Sequence, residues 1–181
     1  SFSPYIPYSH IGIALLKEDG KTLEASYGVS APSLQDLPKR LVGIRAQIES
    51  TSLERVVKQG EPRVIGDLKK FIKTPTNDYN TIILRAGIQS SITLPLEVSG
   101  KPMGAIFFSS LTRNAYNEKH MEFLEVIASS IAISFSKNIF IDELLYSTVL
   151  ALAKMVESKD EETGDHLERM KQYSKLITQF L

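Results

Sequence analysis

Short strand-like and helix-like runs alternate over the first 110 residues, and one long helical pattern follows them. His10–Leu16 is an apolar run of strand length, Glu18-Asp19-Gly20 contains an Asp-Gly turn, and Thr22–Val29 is a second run, so the opening predicts a hairpin. Residues 30–40 carry two prolines and no periodicity, which predicts a loop with room for a short helical turn. "LVGIRAQIE" can return as a third strand. The next segment predicts a helix: Thr51 and Glu54 have the spacing of a capping box, Leu53, Val56 and Val57 form its apolar face, and Gly60 with Pro62 ends it. "RVIGDL" predicts a short strand, and "FIKTPTNDYNTIILRAG" a lid-like loop running into a helix that stops at Gly87. Strands over about 88–98 and 102–110, joined at Ser99-Gly100, make a second hairpin. In it Ser91, Thr93 and Glu97 share one parity and Ile92, Leu94, Leu96 and Val98 the other, which predicts one buried face and one open face. The order is strand, strand, strand, helix, strand, helix, strand, strand, long helix. It predicts an α+β fold: a central antiparallel sheet with flanking helices, followed by a long C-terminal connector helix.

No Gly or Pro occurs between Ala105 and Thr163, and residues 118–157 can form one helix of about 40 residues, or about 60 Å at 1.5 Å per residue. Written in heptads, one seam holds Leu124, Ile131, Asn138, Leu145 and Leu152, and the other Ile127, Ser134, Ile141, Thr148 and Met155. The pattern predicts a parallel homodimer. Asn138 is then either a polar residue that fixes register or a surface amide past the packed part.

Composition narrows the chemistry. In 181 residues, 43% hydrophobic content is enough for a real core. Lys+Arg and Asp+Glu are 21 each, so no basic excess argues for nucleic acid. There is no cysteine, which removes disulfides, thiolate zinc sites and thiol catalysis, and fits a reducing compartment. No apolar run is long enough to span a bilayer and no signal peptide is visible, so a cytoplasmic location without membrane contact is expected.

Four phrases in order, "IGIALLKEDGKTLEASYGV", "SLERVVKQGEPRVIGDL", "AGIQSSITLPLEVSGKPMGAIFFSS" and "YNEKHMEFLEVIASSIAISFSKN", resemble a GAF domain, the small-molecule-sensing module common in bacterial signalling proteins. The resemblance implies a GAF sensory domain over 1–137, a connector helix over 138–157, and an unknown small-molecule ligand beneath the loops. Its polar lining is expected from Asp67, Tyr79, Arg85, Ser91, Thr93 and Ser109. Strand hydroxyls facing solvent and an exposed Arg85 are the plainer alternative. A covalently attached bilin and methionine-sulfoxide chemistry both need a thiol. The cyclic-nucleotide signature is missing, because "LEVI" follows Phe123. For haem or iron the candidate axial ligands are His10 and His120, and a lone histidine is more often a core or surface residue.

"LALAKMVESKDEETGDHLERMKQYSKLI" resembles the opening of an HD-GYP domain, the metal-dependent phosphohydrolase that cleaves cyclic di-GMP. The resemblance implies that residues 158–181 start such a domain and that Glu162 and His166 match its first carboxylate and first histidine ligand. A divalent metal of the Fe/Mn class is then expected in the full-length protein. Within these 181 residues the His-Asp pair, the later histidines and the Gly-Tyr-Pro loop are absent. Two ligands do not close a hydrolytic site, so neither cofactor nor catalysis is expected here. Without those partners, Thr163 or Asp165 reads as a helix cap. The leading function is sensing coupled to a C-terminal phosphodiesterase; the alternative is a ligand-free dimerisation scaffold.

Overall fold

The computed structural model describes residues 6–73 and 78–158. Six strands form one sheet: β1 (His10–Leu16), β2 (Thr22–Ser30), β3 (Arg45–Gln47), β4 (Arg63–Ile65), β5 (Ser90–Val98) and β6 (Lys101–Ser110). Their order is β3-β2-β1-β6-β5-β4, and every neighbouring pair is antiparallel. The helices are α1 (Leu37–Leu41), α2 (Glu54–Gln59), α3 (Leu68–Phe71), α4 (Asp78–Arg85) and α5 (Glu118–Ser158). This is the α+β architecture that the apolar pattern predicts. The chain divides into a unit ending at Ser136 and a second beginning at Lys137.

Strand alternation sorts the core onto two faces. Ile92, Leu94 and Leu96 of β5, with Ile106 and Phe108 of β6, pack against Leu124, Ala128 and Ala132 of α5. On the opposite face Ala105 and Phe107 of β6 join Ala14, Leu23, Ile48, Val56 and Val57 under α2, while α1, α3 and α4 contribute Leu37, Leu41, Leu68 and Ile83 to a neighbouring cluster. Both faces of β5 are therefore covered. Ser91 and Thr93 are buried, not solvated as one-sided alternation predicts.

Local sequence chemistry explains several departures. Thr51 does not cap α2: its hydroxyl donates to the Ile48 carbonyl at 2.9 Å and accepts the Leu53 N–H at 3.2 Å. The helix starts three residues later without a side-chain cap. Gly60 ends it in the left-handed conformation, φ 69°, which glycine adopts without steric cost. The third strand shortens to Arg45–Gln47, because Leu41 closes α1 and Ile48 opens a 3-10 turn. The expected strand over "RVIGDL" stops at Ile65, and helix α3 runs from the last residue of that stretch, Leu68, to the start of the expected loop at Phe71. Asp67 accepts the Lys70 N–H at 3.2 Å and caps it. Where β1 slips register between Ile13 and Ala14, Gly104 on β6 has φ 151°, and a Cβ there would lie 2.0 Å from the Ala14 carbonyl oxygen.

The long helix runs from Glu118 to Ser158. Two of the six expected seam positions need correction. Leu124 is fully buried against the sheet of its own chain, and Ile131 is partly buried on the same cluster, so in this stretch the heptad seam is the sheet-packing stripe. The exposed apolar side chains there are instead Phe123, Val126 and Ile133. Leu145 is 60% exposed, consistent with a free face. Asn138, Ile141 and Leu152 lie on α5 with side chains outside the described set.

Candidate functional site

A cavity of about 440 Å³ opens on the sheet face opposite α5, between the strands and helices α3 and α4. Small side chains on that face make the space. Register places Ser91 opposite Ser109 and Ala14 opposite Ala25, and all four line the hollow. Walls come from Leu23, Ile44, Ile65, Phe71 and Phe107, with Tyr79 and Asn80 from α4. Tyr79 packs on Phe107 with ring centres 5.9 Å apart.

The dominant polar group is Arg63, which the sequence reading did not single out. It projects from β4, whose register pairs it with Thr93. Its Nη1 donates to the Ser52 carbonyl at 2.7 Å, and its Nη2 reaches the Thr93 hydroxyl at 3.3 Å. Nε is buried and has no hydrogen-bond partner among the described residues. The Phe71 ring lies 5.6 Å from the guanidinium carbon, within cation–π range. Burial lowers the guanidinium to about 10, with the nearby Tyr79 phenol acting weakly the other way, so Arg63 stays charged at neutral pH. Burial likewise pushes the Tyr79 phenol above its ordinary range, keeping it neutral, with Arg63 as the opposing influence.

Of the residues expected from sequence, Tyr79, Ser91 and Ser109 line the cavity, and Thr93 touches it through Arg63. Asp67 is not in the lining: it caps α3 and faces Arg113, with Oδ2 and Nε 3.5 Å apart. Arg85 is an exposed residue of the last turn of α4 and also lies outside the lining. The site gains Arg63, Lys73, Thr51 and Ser52 instead. Arginine on a three-residue edge strand looks like surface decoration in the sequence, and only the sheet order carries its side chain inward.

His10 sits deeper on the same face and is 1% exposed. Its Nδ1 is 2.8 Å from the Ser30 hydroxyl. The ring occupies space left by two glycines: a Cβ at Gly12 would come within 3.0 Å of its Nε2, and one at Gly28 within 3.2 Å of its Cε1. The desolvation of burial lowers its pKa from 6.5 to about 4. Such a neutral core imidazole fits the plainer reading of His10. His120 sits near the start of α5, where its Nδ1 accepts the Asn117 N–H at 3.3 Å. Among the described residues no group of three or more His, Cys, Asp or Glu is placed to share a metal ion. Glu162 and His166 lie outside the described residues. No helix among the described residues is long and apolar enough to cross a membrane.

A six-stranded antiparallel sheet with a helix on one face and a hollow under short helices on the other defines a ligand-pocket type of α+β domain. The family model for the GAF domain matches residues 4–136, and this chain belongs to the GAF family. Solved structures agree in fold. The GAF domain of a two-component sensor histidine kinase from Bacillus halodurans is 15% identical with a TM-score of 0.62, over 78% of this chain and 90% of that one. The phycocyanobilin-bound GAF domain of a cyanobacterial phytochrome is 15% identical with a TM-score of 0.55, over 72% and 75%. A type II free methionine-R-sulfoxide reductase from Thermoplasma acidophilum is 18% identical with a TM-score of 0.52, over 70% and 77%. No curated protein matches the sequence.

Proposed function

We propose that this chain is a sensory GAF domain that binds a small molecule in the cavity and passes its state to a C-terminal HD-GYP phosphohydrolase acting on cyclic di-GMP. The carrying observation is the cavity of about 440 Å³, whose wall combines apolar side chains with convergent polar groups, Arg63 foremost. The sequence has no cysteine, so bilin attachment and thiol-based sulfoxide reduction are not available to it. The run from Leu150 to Ile177 supports the phosphohydrolase assignment. In the full-length protein, Glu162 and His166 would contribute two ligands to a divalent metal whose remaining ligands lie beyond Leu181.

The connector reading joins these parts. Helix α5 begins on the sheet and continues to Ser158, and its exposed Phe123, Val126, Ile133, Leu145 and Val149 would pair with a second copy in parallel. That exposed stripe also favours the ligand-free scaffold as the second reading. Thermal denaturation across a metabolite and nucleotide panel separates the two. A true ligand at one hundred times its dissociation constant stabilises the fold by about 2.7 kcal/mol. A flat panel with an intact dimer leaves the scaffold.

A further inference from the structure

Resting on the sensory reading above, we propose that the cavity takes a small organic carboxylate with an apolar body, with Arg63 as its counter-ion. Among the described residues, two cations, Arg63 and Lys73, line the cavity, and no Asp or Glu does. Arg45, Arg55 and Arg113 each face a carboxylate, whereas Arg63 has none within ion-pair distance among the described residues. A half-buried guanidinium without a counter-ion is an incomplete arrangement, because a buried charge is normally paired.

The remaining contacts favour a carboxylate. Ser52 holds Nη1, which leaves the Nε and Nη2 edge. Nε has no partner, and the Nη2 bond to Thr93 is long at 3.3 Å, so a charged acceptor displaces it readily. Nε and Nη2 present two N–H groups side by side, which matches the two oxygens of a carboxylate. Nε is buried, and Phe71 over the guanidinium is half-exposed, so the entering anion shifts this ring to reach the edge. The rest of the wall offers a hydrocarbon patch from Leu23, Ile44, Ile65 and Phe107 for an apolar body, with the neutral groups of Tyr79, Ser91 and Ser109 beside it and Lys73 as the one further cation among the described lining residues.

The test measures binding at constant ionic strength with matched probes: phenylacetate against phenylacetamide, hexanoate against hexanamide, and inorganic phosphate. Each carboxylate should bind about tenfold or more tightly than its amide, the scale of one hydrogen bond to a charged group. Arg63→Gln should bring the carboxylates down to the amides, and Arg63→Lys should keep part of the preference. Arg40→Gln, an exposed charge on α1, should change nothing. Circular dichroism melts establish that each variant is folded; if Arg63→Gln is not, the wild-type contrast and Arg63→Lys decide. Equal affinity for acid and amide overturns the assignment while leaving a sensory pocket intact. Phosphate binding as tightly as the carboxylates overturns the organic carboxylate in favour of a bare anion site. Silence from every probe also overturns it, and the sensory reading then stands or falls on the wider panel.

Discussion

Acid should weaken this fold through one imidazole. His10 is 1% exposed and neutral, with its pKa lowered by burial from 6.5 to about 4. A depressed base binds protons more readily once unfolded, so its contribution is fully present above the unfolded pKa of 6.5 and drains away as pH falls toward about 4. Between pH 7.5 and pH 4.5 the loss attributable to this group is about 2.5 kcal/mol, at 1.36 kcal/mol per pH unit. Carboxylates also contribute to acid unfolding, so the comparison needs a non-titrating variant. His10→Gln should be less stable at pH 7.5, because the ring fills the space over Gly12 and Gly28. It should then lose about 2.5 kcal/mol less than wild type on acidification. Urea denaturation of both proteins at the two pH values measures this. Parallel losses would refute the reasoning and mean that His10 opens to solvent before the fold does.

Leu124→Ala should cost about 2–5 kcal/mol, the range for a fully buried leucine, independent of protein concentration in urea titrations. Leu145→Glu should leave the melting of the sheet domain nearly unchanged but turn a dimer into a monomer by light scattering, and a wild-type monomer at high concentration would rule out the pairing. Gly104→Ala should destabilise by about 3 kcal/mol or more, since the new Cβ meets backbone at 2.0 Å and φ is 151°; an unchanged denaturation midpoint would show that β1 shifts freely at Ala14.

The two hairpins are legible because a period of two and Asp-Gly or Ser-Gly turns leave few alternatives. The seam was harder to read. Sheet packing and coiled-coil packing both want an apolar residue about every seventh position, so spacing alone cannot tell Leu124, which faces its own sheet, from Leu145, which is exposed. Ser91 and Ser109 could be placed on one face by parity, but their burial depends on helices that approach from distant sequence. Helix α3 carries one local signal, the aspartate Asp67 at its N-cap position, whose carboxylate accepts the Lys70 backbone N–H. Arg63 had no comparable signal, since its partners Ser52, Phe71 and Thr93 are 11, 8 and 30 residues away.

Phe107 and Phe108 are consecutive on β6, yet the first borders the cavity and the second packs with Leu124 beneath α5. The sheet is one strand thick, so a single backbone separates the cavity wall from the packing beneath α5. In the proposed sensor an occupant that displaced Phe107 would act on α5 through β6 itself, and whatever restrained α5 would change the affinity of the cavity by the same factor.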